Sequence, residues 1–305
     1  MSKTKFFKAT SVAEAIGYLN QYRGQAKLLA GGTDIMVLMN QYEIPEETVF
    51  VGIEDIDELK QISLQEDGIH IGSAVTDTEL IESDIVRSGA WALFIAASES
   101  ASTQVRNRAT IGGNVGTASP SGDVQAALIA LNALAVVENE KGTRTIPVES
   151  IPVFVKKTSL GETDIIREFI VPSEKKTEGS CFVKMGKRKA MTISIVDVAA
   201  KITLTENKKK ILAASVVAGA CAPTVVHLKT YEEALKDIAV EEEIVGQLVA
   251  FAKEDVSPIT DVRGSAWYRT EVIQTFAKRA VWGAIENACM KEGGIEDEKV
   301  WTGNR

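Results

Sequence analysis

Sulfur and imidazole are scarce in this chain. Its 305 residues include three cysteines, Cys181, Cys221 and Cys289, and two histidines, His70 and His227. The cysteines lie far apart and no CxxC occurs. Four thiolates are the usual ligand set of an iron–sulfur cluster, so three do not hold one in the ordinary way. A His-rich metal site is equally out of reach. The cysteines therefore read as small buried core residues. No apolar run approaches the ~20 residues that span a bilayer, so no membrane span is expected. Met1-Ser2-Lys3-Thr4-Lys5 leads into an amphipathic segment rather than a signal-peptide core, and a cytoplasmic protein is expected. Excess positive charge is missing too. The net charge of −8 argues against nucleic acid as a main partner. Neither a GxxxxGK[ST] P-loop nor a GxGxxG behind a strand is present, which disfavours a P-loop ATPase and an ordinary Rossmann site. No Ser/His/Asp or Cys/His set stands out. If the chain does redox chemistry, an organic cofactor must carry the electrons.

The rest of the composition is that of a globular protein of two or three domains, with 45% hydrophobic and 25% charged residues. Ser11-x-x-Glu14 has capping-box spacing, and Val12, Ala15, Ile16 and Leu19 recur at helical period, so a helix is predicted over 11–23. Lys27–Ala30 reads as a short buried strand that runs through Gly31-Gly32-Thr33-Asp34 into the apolar stretch 35–39. Residues 48–53 read as a second strand. Ile62–Leu64 and Ile69–Ile71 alternate around Asp67-Gly68, a hairpin signal, and Thr76–Glu79 is a second capping box. Helices are predicted over 88–101 and 124–133, and strands over 134–138 and from Ile165 to Pro172. The polar stretch 173–179 marks a boundary. Beyond it, 193–204 and 211–218 form a predicted hairpin across the lysine run Lys208–Lys210, and helical patterns dominate 230–291. The expected units are residues 1–55, 56–175 and 176–305.

Two glycine pairs carry the chemistry. Each removes two Cβ atoms, so the backbone can take positive φ and approach a ligand. Consecutive N–H groups in such a turn cradle phosphate oxygens. Ala30-Gly31-Gly32-Thr33-Asp34 follows a strand and precedes a helix, the order in which backbone N–H groups come free to face an anion. Thr110-Ile111-Gly112-Gly113-Asn114 opens a long polar stretch ending at Asp123. Thr33 and Thr110 offer hydroxyl donors. Asp123 is open to two readings, a helix N-cap or a carboxylate accepting ribityl or ribose hydroxyls. Two such nests can share one diphosphate.

At these segments, Leu29–Asp34 and Thr110–Asn114, the sequence resembles the FAD-binding (medium) subunits of the molybdenum hydroxylases, the xanthine dehydrogenase and carbon monoxide dehydrogenase type. Gln104–Asn107, Phe182–Ala190 and Pro258–Arg269 fit the same pattern, so the resemblance spans nearly the whole chain. It implies an α+β fold: two small domains of the PCMH type that clasp FAD, then an α+β C-terminal domain with a small sheet and helices. It implies that Leu29, Ala30, Gly31, Gly32, Thr33, Asp34, Thr110, Ile111, Gly112, Gly113 and Asn114 bind the cofactor. Asp123 would contact the ribityl chain, Lys184 would lie near the flavin ring, and the backbone around Ile165–Arg167 would touch its edge. Partner chains are also implied, an iron–sulfur subunit with [2Fe–2S] clusters and a molybdopterin-binding subunit. Electrons would pass through the clusters to FAD in this chain, then to NAD or another acceptor.

Lys184, Lys187, Arg188 and Lys189 put four positive charges in six residues. By itself such a run reads as a solvated face, whereas a cation beside reduced flavin favours its anionic form. Arg263 and Arg269 read as structural partners of carboxylates, Trp267 and Tyr268 as core or interface aromatics, and His70 as a buried structural residue. Two other functions fit the glycine segments less well: a self-contained flavin-dependent oxidoreductase of related fold, and a non-enzymatic binding module.

Overall fold

A computed structural model describes residues 4–188 and 191–291. Three sheets of three or more strands organise the described residues, beside a two-stranded pair, Pro152–Phe154 with Lys157–Thr158. The first is parallel and three-stranded. Val49–Gly52 lies at its centre, with Lys5–Lys8 on one side and Ala26–Leu29 on the other. All four central residues are buried, which is why that strand reads as an unbroken apolar run. The helix Val12–Gln21 covers the sheet with Val12, Ala15, Ile16 and Leu19. Ser11 caps it by accepting the N–H of Glu14, but the Glu14 carboxylate reaches back to Thr10 N–H, at 2.7 Å, instead of to Ser11.

The second sheet is antiparallel. Its strand order is Ile62–Gln65, Gly68–Gly72, Ile165–Val171, Leu134–Asn139, Gly142–Pro147. One face packs Ile69, Ile71, Phe169 and Val171 into the largest core cluster, beside the helices Trp91–Glu99 and Asp123–Ala130. Every residue of Asp123–Ala130 is buried. The Thr76 capping box forms as the sequence predicts.

The third sheet has the order Glu178–Met185, Val196–Leu204, Ile211–Gly219, Val226–His227. Both of its faces are covered. Phe182, Ala199 and Val217 join the core around Trp91–Glu99 and Asp123–Ala130. Cys181, Val183, Val198 and Ala200 point the other way, into a core closed by the helix Ala266–Met290. The middle and C-terminal parts thus share a hydrophobic core.

The stretch 173–179 is a clamp. The Glu174 carboxylate accepts the Trp91 N–H at 3.2 Å, the Ser180 hydroxyl and the Lys291 ammonium, tying the start of one helix to the end of another. Arg269, buried, donates to the carbonyls of Ile195 and Ala220 at 3.0 and 2.7 Å and to Asp261. Arg263 also pairs with Asp261, so both arginines are structural, as the sequence predicts. Cys289 is exposed, against the expectation of burial, whereas Cys181 and Cys221 are buried. Lys187 and Arg188 donate to the carbonyls of Val262 and Met191, while Lys189 lies outside the described residues. No helix among the described residues is long and apolar enough to cross a membrane.

Candidate functional site

A cavity of about 920 Å³ opens between the first and second sheets, near the top of the range of ligand pockets, roughly 300–1,000 Å³. Both glycine segments line it, at Ala30, Gly31, Gly32, Thr33, Asp34, Thr110, Gly112, Gly113 and Asn114, as do Gly116, Asp123, Ile165 and Ile166. Leu29 and Ile111 do not; the Ile111 side chain is buried in the second core. Arg167 is turned away from this cavity, to Glu58 and Glu138.

The first segment is a true turn. It leaves the strand Ala26–Leu29 and enters the helix Ile35–Asn40. Gly32 has φ +75, a conformation open to glycine. A Cβ on Gly31 would stand 1.6 Å from the Arg108 carbonyl oxygen, so this glycine lets two backbones touch. The N–H groups of Gly31, Gly32, Thr33 and Asp34 have no hydrogen-bond partner among the described residues. Four donors in sequence, in a segment that itself holds Asp34 and no Lys or Arg, offer an anion backbone dipoles and no side-chain cation. The following helix has only six residues, so its dipole adds little beyond these donors.

The second segment differs from the expected loop. Residues Ile111–Thr117 form a helix, and Thr110 caps it by accepting the N–H of Gly113 at 3.0 Å. The remaining first-turn donors are also taken. Ile111 donates to Val75 O, Gly112 to Ser73 O and Asn114 to Thr110 O, at 3.0, 2.9 and 2.9 Å. The Asn114 side chain accepts the Gln125 N–H at 3.1 Å. A Cβ on Gly112 would meet Ser73 O at 2.6 Å, whereas one on Gly116 would meet nothing within 4 Å. The segment therefore packs one wall of the cavity and leaves space at Gly116.

Behind that wall lies a buried polar group. Asp123 is the first residue of its helix, with Gly122 as N-cap, so the N-cap reading of Asp123 is corrected. Its Oδ1 accepts the Ser194 hydroxyl at 2.7 Å and its Oδ2 accepts the Lys184 ammonium at 2.5 Å. Lys184 also donates to Glu99 O at 3.2 Å. Lys184 does not itself line the cavity and meets it through Asp123. Burial pushes the Asp123 carboxyl up, and Lys184 and Ser194 act against that rise. Two further carboxyls share this region. Burial, aided by the Asp123 charge, pushes Asp77 and Asp197 up to about 7 each.

Sequence reasoning missed several contributors to the wall, among them Ser73, Ser100–Ser102, Lys156, Thr158 and Met191–Ile193. Ala101 and Met191 hold φ of +38 and +54, and no glycine signals either turn. His70, on the outer face of the second sheet, bonds Asp67 and Glu168 at 2.9 and 3.1 Å and is structural. Trp267 and Tyr268 do not reach the cavity; Trp267 is exposed.

Fold and cavity together define a cofactor-binding clasp closed by a C-terminal sheet-and-helix unit. Residues 2–174 match the family described as FAD binding domain in molybdopterin dehydrogenase, and residues 182–284 match the CO dehydrogenase flavoprotein C-terminal domain. The nicotinate dehydrogenase FAD-subunit of Eubacterium barkeri is 30% identical, covering 97% of this chain and 100% of that one. The xanthine dehydrogenase FAD-binding subunit of Escherichia coli is 32% identical, over 93% and 96%. A carbon monoxide dehydrogenase structure from Hydrogenophaga pseudoflava superposes with a TM-score of 0.88 at 28% identity, covering 94% of this chain and 98% of that one. The chain belongs to the FAD-binding subunits of the molybdenum hydroxylases, and is thus a component of an oxidoreductase.

Proposed function

We propose that this chain holds FAD in the 920 Å³ cavity and serves as an electron-transfer subunit. The observation that carries the proposal is the row of four N–H groups at Gly31–Asp34 that have no partner among the described residues, in a segment lining the same cavity as the second glycine segment. In this reading those N–H groups hold the diphosphate. Thr110–Asn114 sets the opposite wall, and Gly116 leaves room for the cofactor's body. Asp123 accepts a ribityl hydroxyl, with its own orientation fixed by Lys184 and Ser194. Ile165 and Ile166 pack against the ring edge and keep water from it.

Bound FAD exchanges single electrons with a metal cluster and a hydride with a nicotinamide carrier, which couples the two kinds of electron traffic. This chain then needs no general base of its own. Its partners in this reading are an iron–sulfur subunit with [2Fe–2S] clusters and a molybdopterin-binding subunit, and the final acceptor is NAD or another carrier. The relatives' names specify nicotinate and xanthine while the relatives keep similar identity to this chain. Substrate choice therefore belongs to a partner chain. The setting in this reading is the cytoplasm.

The test is reconstitution of the full chain with FAD. One FAD per chain with a yellow flavin spectrum is expected. A chain that stays colourless after reconstitution overturns the proposal.

A further inference from the structure

The cofactor site leaves one buried acid unexplained. Asp197 is fully buried, and neither of its carboxyl oxygens has a hydrogen-bond partner among the described residues. It stands directly across the antiparallel pair from Lys184, where facing Cβ atoms are about 4.5–5.5 Å apart. Lys184 in turn holds Asp123 in the cavity wall. One ammonium thus has two carboxyls to serve, one that it binds and one that it faces.

Each element packed on Asp197 contributes to its setting. The strand Glu178–Met185 brings Lys184, and the helix Asp123–Ala130 brings Asp123. Ser194 approaches from the preceding segment, and the strand Ile211–Gly219 brings Gly219, on which a Cβ would stand 2.1 Å from Asp197 Oδ1. The buried Cys221 thiol feels the charges of both Asp197 and Arg269. Glu99, on the helix Trp91–Glu99, and Asp77 also feel the charge of this lysine.

We infer that Asp197 is a positioning residue for the cofactor site, acting through Lys184: as a neutral acid it leaves the ammonium to Asp123, and as a carboxylate it draws the ammonium away. The inference rests on the proposed FAD site. A neutral carboxyl adds no charge to the pocket, so Lys184 and Asp123 form a closed pair, and Asp123 keeps its orientation toward the cavity. Once Asp197 ionises, two carboxylates compete for one cation in a region where water does little to screen them. Asp123 then loses its anchor, and a hydroxyl bound to it loses a fixed acceptor. Burial pushes the carboxyl well above the ordinary carboxylate range, so Asp197 keeps its proton to higher pH than a solvated carboxylate does.

The experiment is the dissociation constant of FAD from the full apo-chain, read by flavin fluorescence from pH 6 to pH 9. Wild type is expected to weaken about tenfold across the range, the size of one lost hydrogen bond to a charged group. Asp197→Asn is expected to bind at pH 9 nearly as tightly as wild type at pH 6, with any remaining slope belonging to Asp77. Lys184→Met removes the ammonium that Asp197 acts through, and is expected to bind weakly at every pH without a slope. Ser194→Ala keeps the lysine but removes one anchor of Asp123, and is expected to weaken binding at every pH while a pH slope remains. Circular dichroism establishes that each variant is folded. Parallel pH profiles for wild type and Asp197→Asn overturn this inference alone. No FAD binding by wild type at any pH overturns the cofactor reading and this inference with it.

Discussion

The two glycine pairs look alike in sequence and do different work. Gly31-Gly32 sits in an open turn, Gly31–Asp34, whose four N–H groups have no hydrogen-bond partner among the described residues. Gly112-Gly113 sits in the first turn of a capped helix, with each of its N–H groups already bonded. The first pair is built as a donor surface and the second as a packing surface. Adjacent glycines grant the backbone freedom, and the neighbouring chain decides how it is used. At 112 the strand end at Ser73 fills the space left by the missing side chain. At 31 the Arg108 carbonyl does so while the N–H groups stay free.

Four measurements break or sharpen that comparison. The largest effect is expected from Gly31→Val. Its Cβ would overlap the Arg108 carbonyl at 1.6 Å, forcing the two segments apart. A loss of several kcal/mol in denaturant unfolding and no measurable FAD retention are expected. A variant with normal FAD affinity would show that the first segment is not the donor surface.

Asp77 comes next, because its own N–H bonds Ala109 O, beside the second segment. Its folded carboxyl is held at about 7 by burial, above its ordinary value of 3.8. The unfolded chain gives up that proton first, so stability falls as pH rises from about 4 to about 7. Asp77→Asn is expected to flatten that fall and to raise stability at pH 8 by an amount on the order of 2 kcal/mol. Thermal melts of both proteins across pH 4–8 check it, and parallel curves would contradict the assignment.

Gly116 separates packing from binding within one helix. A methyl there meets nothing within 4 Å, so Gly116→Ala is expected to leave the melting temperature unchanged or slightly raised. Gly116→Leu is expected to fill cavity space and weaken FAD binding about tenfold or more, read by fluorescence titration. Unchanged affinity for the leucine variant would remove this face from the site.

The smallest effect is expected at the cap. Thr110→Ala loses the bond to Gly113 N–H, at a cost of about 1 kcal/mol in stability. FAD affinity should move less than threefold if the second segment acts by packing. A large drop in affinity with little change in stability would make Thr110 a direct donor and erase the contrast between the two pairs.

Much of this was legible beforehand because it is local. The hairpin 62–71, the capping box at Thr76, the strand–turn–helix at 26–40 and the apolar helix near 124–130 follow from periodicity and caps. The resemblance carried the fold, the cofactor and the family. Other features had no local signal. The strand Lys5–Lys8 is four residues long, mostly exposed, and pairs with the parallel strand Val49–Gly52. The turns at Ala101 and Met191 take positive φ without glycine, so only tertiary contacts could announce them.

By itself, the sequence determined which segments are apolar, where the chain must turn tightly, and that few metal-binding side chains are available. Those are properties of neighbouring residues, fixed by side-chain chemistry and backbone sterics. The tertiary structure decided which glycine pair keeps its donors free. It also decided that Lys184 serves Asp123 instead of standing in the cavity, and that Asp197 faces the same ammonium. Each of those outcomes depends on residues tens of positions apart arriving within hydrogen-bonding or Coulombic range inside a region closed to water. There, the supply of partners sets what a polar group can do.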